Sequence, residues 1–415
     1  MRKLLSTSTI LLVLFSLILA SCDNEVSYTP RRIEIVAEGC GRVQFEGYQG
    51  GVQYYNPGNE VVVIAHPDED YSFEGWYTNN SDASVSTERR YSFIADEDLS
   101  LTARFVYKLY SIRISSTSGG SVCFENETDT SLTLQYGRDI TVVAKADEGY
   151  TFVGWYKMDS SMPVCPQPSY SFKACEEVDL IARFDKKQFA GGHEYIDLGL
   201  PSGTLWATCN VGAVHPEECG GYYAWGETEE KSEYSWKTYK WCNGSSNTMT
   251  KYCTDSTCGA VDNKTILESE DDAAHTKWGG DWRIPTTNEQ QELIDNCIWT
   301  TGSLNRVNGY WVTSKNNGKS IFLPAAGCKE GRDIHYRGIF GYYWSEALCN
   351  SNYSAHNIRF YNNHISRDEY GRFTGITVRP VAIDKYTVKT KDKACRQADT
   401  LCLRQYTIVL SESDY

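Results

Sequence analysis

The sequence has no Cys-x-x-Cys pair, although it holds 15 cysteines. That weakens zinc-ribbon and thioredoxin readings. It also lacks His-Glu-x-x-His, Gly-x-Ser-x-Gly and any phosphate-cradling glycine loop with lysine. The signatures of zincins, α/β-hydrolases and P-loop enzymes are therefore missing. The seven histidines do not cluster. Two of them, His356 and His364, are close, and the Asn-rich sequence between them reads as a strand–loop edge rather than a metal site. Beyond the N-terminus no apolar run is long enough to span a membrane as a helix. Positive charge is in deficit, with 40 Lys and Arg against 54 Asp and Glu and a formal net charge of −14. So acidic a surface disfavours nucleic acid and anionic lipid headgroups as partners.

What is present begins with a secretory pattern. Arg2 and Lys3 precede an apolar stretch from Ile10 to Ala20, broken by Ser16. Its length and position fit a signal peptide over residues 1–21. Removing Arg2 and Lys3 takes the net charge from −14 to −16. The stretch ends in Leu19-Ala20-Ser21-Cys22, which resembles a bacterial lipobox. The resemblance implies an acylated Cys22 as the mature N-terminus, with outer-membrane lipid as its partner. Each buried acyl methylene contributes about 0.8 kcal/mol to such an anchor. Asp23, Asn24 and Glu25 resemble surface-export signals of Gram-negative lipoproteins, and residues 22–30 read as an anchor linker. Setting Cys22 aside leaves an even 14 cysteines in an oxidising compartment, where disulfides form and their connectivity is open.

Hydrophobic residues at 41% and aromatics at 13% mark a folded chain, and 415 residues suggest two to four domains. Two of these are copies of one unit. Tyr71-Ser-Phe-Glu-Gly-Trp-Tyr77 matches Tyr150-Thr-Phe-Val-Gly-Trp-Tyr156. Tyr91-Ser-Phe93 matches Tyr170-Ser-Phe172, and Ala103-Arg-Phe105 matches Ala182-Arg-Phe184. Each pair, like Ile33 and Ile112, is 79 residues apart, so the segment is a tandem duplication. Glu60-Val-Val-Val-Ile-Ala65 and Asp139-Ile-Thr-Val-Val-Ala144 are β-branched runs separated by Gly, Pro and Asn clusters. The copies, 31–107 and 108–186, therefore read as small β modules without a useful helical period. The recurring Gly-Trp-Tyr aromatics read as core rather than as a ligand platform. The order of strand, Gly, strand, Tyr-x-Phe-x-Gly-Trp-Tyr and a closing Ala-Arg-Phe strand resembles Listeria–Bacteroides repeats of the internalin-B type. That resemblance implies a stalk or spacer on a surface protein, sometimes contributing to adhesion. Cys165 and Cys175 occur in the second copy alone, where the first has Ser86 and Asp96, and read as a disulfide pair.

From Gly191 the texture changes to dense Gly, Trp and Tyr. Glu194-Tyr-Ile-Asp-Leu-Gly-Leu-Pro-Ser-Gly-Thr-Leu-Trp-Ala207 and Gly221-Tyr-Tyr-Ala-Trp-Gly-Glu-Thr228 come first. Trp278-Gly-Gly-Asp-Trp-Arg-Ile-Pro-Thr286, Tyr343-Trp-Ser345 and Val378-Arg-Pro-Val381 follow in order. The series resembles the Fibrobacter major paralogous domain, FISUMP, over residues 191–383. It implies an α+β module like C-type lectins and sulfatase-modifying factors, while fold likeness alone assigns no function. The whole chain is thus expected to be mainly β and multidomain, ending in an extension, 384–415. Within the module Thr286 or Thr287 is placed to cap a helix, with Glu289 and Glu292 at its positive end. Leu293, Ile294, Ile298 and Trp299 would form its apolar face. Gly309–Val312 and Ser320–Leu323, joined by Lys315-Asn-Asn-Gly318, read as a hairpin. Arg379 is expected in an internal ion pair.

No catalytic constellation emerges, so the protein is expected not to be an enzyme, and no cofactor is implied apart from a possible Ca²⁺. The acidic run Glu268, Glu270, Asp271 and Asp272 offers Asp271 and Asp272 as calcium ligands. Its plainer reading is a solvated loop in which Asp caps a short helix over Ala273 and Ala274. Trp225, Trp236, Tyr239 and Trp241 lie in a polar stretch and offer a glycan-stacking platform, or else a shared core. Together these features point to a Gram-negative surface lipoprotein whose module binds an extracellular glycan or protein. The alternatives are a structural component of a surface assembly and a polysaccharide-acting enzyme, which would need two carboxylates in one cleft.

Overall fold

The computed structural model describes residues 29–383, apart from Asn80. The signal-like segment, Cys22 and the 384–415 extension lie outside the described residues. The chain is mainly β and multidomain.

Alternating apolar residues build the first repeat. Its strands are β1 (Arg31–Glu38), β2 (Gly41–Phe45), β3 (Val52–Tyr55), β4 (Glu60–Pro67), β5 (Tyr71–Thr78), β6 (Arg90–Ile94) and β7 (Leu99–Tyr107). They form a four-stranded sheet, β3-β1-β7-β5, and a three-stranded one, β2-β4-β6. β1 and β7 run parallel, with Ile33 opposite Leu99 and Ile35 opposite Leu101. Because side chains alternate between faces, Ile33 and Ile35, Val61 and Val63, and Leu101 and Ala103 all point into one shared core.

The second repeat repeats this plan. Its strands are β8 (Leu109–Ser116), β9 (Gly120–Phe124), β10 (Ser131–Gln135), β11 (Asp139–Ala146), β12 (Tyr150–Lys157), β13 (Ser169–Lys173) and β14 (Val178–Lys186). Sheet orders are β10-β8-β14-β12 and β13-β11-β9. Neither repeat contains a helix among the described residues. The Gly-Trp-Tyr motif sits on a bulge in each copy, between Phe73 and Gly75 and between Phe152 and Gly154. A Cβ on Gly75 would lie 2.8 Å from that of Ser84, and one on Gly154 2.7 Å from that of Pro163. Glycine is required there because a loop crosses directly over the strand. Trp76 and Trp155 are fully buried, which makes them core as expected.

The described residues fall into two compact units. One runs to Tyr110 and includes Gln135–Gly137; the other holds Ser111–Leu134 and everything from Arg138 onward. The second unit therefore joins most of repeat 2 to the C-terminal module.

The module begins at β15 (Gln188–Ala190), β16 (His193–Asp197) and β17 (Thr204–Ala207). A long non-repetitive stretch leads to α1 (Ala273–Trp278) and α2 (Thr287–Asn296). Then come β18 (Cys297–Leu304), β19 (Val307–Ser314), β20 (Ser320–Pro324), β21 (Cys328–Glu330) and β22 (Asp333–His335). The chain closes with β23 (Gly341–Leu348), β24 (Ser354–Tyr361), β25 (His364–Gly371) and β26 (Val381–Ile383). β26 pairs with β17 in the order β15-β16-β17-β26, so the end of the module returns to its beginning. The expected hairpin forms as β19 and β20, with Trp311 opposite Phe322 and Val312 opposite Ile321.

Thr286 caps α2, and a reciprocal capping box forms with Glu289: the Thr286 hydroxyl accepts from the Glu289 amide, and the Glu289 carboxylate accepts from the Thr286 amide. The helix ends at Asn296, earlier than the apolar spacing suggests. Ile298 and Trp299 belong instead to β18, and Ile298 is 48% exposed. The reason is tertiary: β18 is satisfied by β19 along its whole length, from Cys297 opposite Ser314 to Leu304 opposite Val307.

Candidate functional site

Of the four aromatics proposed as a glycan platform, Trp225 and Tyr239 close on a buried cation, Arg372, while Trp236 packs on Tyr239 and Phe373 and Trp241 lies under Lys240 and Lys251. Trp225 and Tyr239 are buried, while Trp236 and Trp241 are partly buried. Arg372, fully buried, lies 5.0 Å from the Trp225 ring and 5.3 Å from that of Tyr239. Its guanidinium donates to the Tyr239 hydroxyl (2.9 Å) and to the carbonyls of Tyr252 (3.0 Å), Asn352 (2.9 Å) and Lys251 (3.0 Å). Tyr239 in turn donates to the Trp225 carbonyl at 2.7 Å. Carbonyl dipoles and ring faces thus replace water around the charge. This arrangement organises the long stretch before α1, and the rings it uses are turned inward.

Asp271 and Asp272 are both buried, so this end of the acidic run is not a solvated loop, while Glu270 is exposed and the expected Asp cap on a short helix over Ala273 and Ala274 forms. Asp271 accepts from the Lys251 ammonium at 2.6 Å and the Tyr252 hydroxyl at 2.7 Å. Asp272 caps α1 by accepting from the His275 amide (3.0 Å) and also accepts from the Ile284 amide (2.8 Å). Burial holds its carboxyl above the usual range. Their oxygens are committed to internal donors, whereas a calcium ion takes six to eight oxygen ligands converging on it.

A second polar centre surrounds Arg283 of the Trp-Arg-Ile-Pro-Thr motif. Its guanidinium grips both oxygens of Glu289, at 2.7 and 2.6 Å. The Thr204 hydroxyl adds a third bond to the same carboxylate at 2.7 Å. Burial opposes ionisation of Glu289, but Arg283 and these donors together hold its carboxyl below the ordinary value. Glu346, half-buried near the same charges, is pushed up by burial and by Glu289 and Asp272, against the pull of Arg283. This is a fold-fixing network, and none of these carboxylates lines the junction groove described below.

Arg379 is not in an ion pair. It is buried and donates to Asn210 Oδ1 (2.8 Å) and to the carbonyls of Ala207 (3.0 Å), Thr208 (2.7 Å) and Phe322 (2.9 Å). Burial lowers its pKa from the ordinary arginine value. Cys165 and Cys175 are both free thiols. Cys165 is buried against the Gln167 backbone, whose amide reaches its sulfur at 3.4 Å, while Cys175 is exposed.

Repeat 2 and the module meet inside the second unit. Lys319 pairs with Asp185 at 2.8 Å, and the Tyr156 hydroxyl donates to the Gly318 carbonyl at 3.4 Å. Beside this contact is a groove of about 590 Å³, lined by Val164, Gln167 and Tyr170 from the repeat and by Ile298, Thr300 and Thr313 from β18 and β19. A further grouping escaped the sequence reading. Cys349, His356 and Glu369 bring one ligand-capable atom each to within 4.8 Å of one another, whereas His364 is not in that group. A hairpin signal exists for His356 and Glu369, since they flank the Asn362-Asn363 turn at similar distances; nothing in the spacing marks Cys349.

Comparison with known proteins bears on the repeats. The model of a family described as "Divergent InlB B-repeat domain" matches residues 32–109 and again 110–188. The two repeats are thus similar to divergent InlB B-repeat domains. The matched boundaries coincide with the structural repeats to within a few residues. Among solved structures, the Bacillus anthracis TIE protein shares 12% identity over 38% of this chain and 34% of its own, with a TM-score of 0.22. The minor pilin GBS52 of the Gram-positive pathogen Streptococcus agalactiae shares 9% over 39% of this chain and 98% of its own, with a TM-score of 0.15. The chain thus spans about a third of the TIE structure, and at these scores neither likeness carries an argument. No curated protein matches the sequence.

Proposed function

We propose that this protein is a non-catalytic cell-surface lipoprotein, held to the Gram-negative outer membrane through acylated Cys22. In this reading the B-repeats carry the FISUMP-like module outward to bind an extracellular glycan or protein. The observation that carries it is the junction of repeat 2 with the module. Tyr156 is 1% exposed, whereas its first-repeat counterpart Tyr77 is 8% exposed, and the added cover comes from Gly318. A repeat packed this way fixes the direction in which the module faces, which suits a stem.

The inward-turned aromatics move the candidate ligand surface to the junction groove. There Tyr170 offers a ring, Gln167 an amide and Ile298 apolar surface. Such a mixed lining suits a sugar or an extended peptide. The test has two arms. Radiolabelled palmitate should enter the full chain but not Cys22→Ala, and external protease should remove the module from intact cells. The soluble chain lacking residues 1–22 should then bind members of a glycan or matrix-protein array, and Ile298→Arg should abolish that binding while leaving the fold intact. Binding unchanged by Ile298→Arg would move the ligand away from the groove.

An assembly role has one observation in its favour. β13 and β18, which border the groove, are both edge strands of their sheets. Unpaired edges offer backbone donors and acceptors to another chain. Concentration-dependent self-association in sedimentation, lost in Ile298→Arg, would favour that role.

A further inference from the structure

We infer that Cys349, His356 and Glu369 form a binding site for a zinc-class divalent metal ion on the outer face of the sheet β23-β24-β25. This rests on geometry independent of the lipoprotein reading.

The topology brings the three residues together. In the β24–β25 ladder His356 stands directly opposite Glu369. Directly opposed residues of an antiparallel pair share a face, with Cβ atoms about 5 Å apart. Cys349 follows the last residue of β23, and its amide donates to the Ser354 carbonyl at 3.1 Å. That contact continues the ladder in which Leu348 pairs with Ala355. Ser354 lies two residues before His356 and so shares its face, which puts Cys349 diagonally beside the imidazole. One ligand-capable atom from each residue falls within a mutual 4.8 Å. Zinc bonds of about 2.3 Å to sulfur and 2.0–2.2 Å to nitrogen and oxygen require ligand atoms about 3.5 Å apart, a small rotamer adjustment from this geometry.

The donor set selects the ion. One thiolate, one imidazole and one carboxylate suit a borderline-soft divalent metal and are a poor match to Ca²⁺ or Mg²⁺, which take oxygen. Burial is graded across the group: Cys349 is buried, His356 partly buried and Glu369 exposed. The ion would therefore be held from below by sulfur and approached from the solvent side. Three protein ligands leave a fourth position for water or an outside donor, as in open zinc sites. Without an ion the group is poorly balanced. A divalent cation removes the repulsion between a thiolate and Glu369, and a neutral imidazole is already in its ligand form. Binding would pin the end of β23 to both strands of the following hairpin.

The test uses the soluble chain lacking residues 1–22, stripped of metal and fully reduced, with Zn²⁺ alone as titrant and Co²⁺ as a spectroscopic probe. The expected results are one tightly bound Zn²⁺ per chain, a zinc-dependent rise in melting temperature, and a thiolate-to-cobalt charge-transfer band. Cys349→Ser should abolish that band and weaken affinity at least about 100-fold, a second-sphere change alone costing 10–100-fold. His356→Gln and Glu369→Gln should each weaken it at least about 10-fold, and both lie at more exposed positions that tolerate change. Cys258→Ser, a partly exposed thiol elsewhere, should leave stoichiometry and band unchanged. A band that survives Cys349→Ser, or affinity indifferent to both His356→Gln and Glu369→Gln, would overturn the site. In that case the Cys349 thiol simply donates to the Glu369 carboxylate.

Discussion

The Tyr156 hydroxyl donates to the carbonyl of Gly318, tying the Gly-Trp-Tyr motif of repeat 2 to the β19–β20 turn of the module. Tyr77, in the equivalent place, shares with Tyr156 an arginine over its ring, Arg104 at 4.1 Å as Arg183 is at 3.9 Å. Duplication supplied two copies of one β unit, and the second was adapted at its outer surface while keeping the core residues of the first.

The glycine matters more than the hydrogen bond. Gly318 has φ +72°, and a Cβ there would lie 3.0 Å from Pro163 Cδ and 3.0 Å from the Ser161 carbonyl oxygen. Gly318→Val therefore adds left-handed backbone strain of about 1–2 kcal/mol to a steric clash across the junction. We expect a loss of about 3 kcal/mol in urea unfolding of the second unit. Tyr156→Phe removes one long hydrogen bond and should cost about 1 kcal/mol or less. Equal losses in the two variants would mean that the junction is held by the hydroxyl and not by close packing.

Arg372 and Arg379 are two buried cations of the module, each held by backbone carbonyls. Each donates to three backbone carbonyls, and each has a side-chain oxygen as a further acceptor. Arg372→Met keeps much of the volume but orphans those carbonyls, so about 3–5 kcal/mol should be lost. Arg372→Lys should rescue little, because an ammonium cannot present a planar fork to several divergent acceptors. Chemical denaturation followed by tryptophan fluorescence, with Trp225 beside the site, reads both changes. A near-neutral Arg372→Met would show that the aromatics alone hold this region.

How much of this was legible in the sequence depended on range. The repeats, their strands and their buried tryptophans followed from period two and a constant offset, which are local signals. The α2 cap was equally local, since Thr286 and Glu289 are three residues apart. The end of α2 was not, because Ile298 and Trp299 fit a helix face as well as a strand until β19 is known to lie beside them. Arg379 looked like an ion-pair partner because sequence cannot reveal that Asn210 and three carbonyls will surround it. The aromatic stretch was ambiguous for the same reason: the cation that turns Trp225 and Tyr239 inward is Arg372, more than a hundred residues away. Cys349 joins His356 and Glu369 through a ladder, and no spacing rule predicts that.

Asp271 and Asp272 give a calcium prediction. With Lys251 and Tyr252 on one carboxylate and two backbone amides on the other, neither is free to turn outward. Adding millimolar calcium to metal-free protein should leave its melting temperature unchanged. A saturable upward shift, abolished by Asp271→Asn, would require Lys251 to be displaced by the ion. Asp272→Asn should instead destabilise by about 1 kcal/mol with or without calcium, through the weakened α1 cap.

Glu289 should govern part of the acid sensitivity of the module. Burial disfavours its charge, yet Arg283, Thr204 and the Thr286 amide together keep its carboxyl below the ordinary glutamate value. A carboxyl depressed in the folded state stabilises the fold fully above its unfolded value and loses that contribution as pH falls through the folded one. Stability should therefore drop as the pH falls from neutral through and below the ordinary glutamate range. Glu346 and Asp272, both held above their usual values by burial, work in the opposite sense over that range, which makes the comparison with a Glu289 variant necessary. Glu289→Gln should cost on the order of 2 kcal/mol at neutral pH, because Arg283 is left without its counter-charge. The gap between the two proteins should then close as the solution is acidified. Urea midpoints for both, measured across that interval, decide the matter. A gap that stays constant with pH would mean that Glu289 acts through its hydrogen bonds and packing, with its charge contributing nothing to the fold.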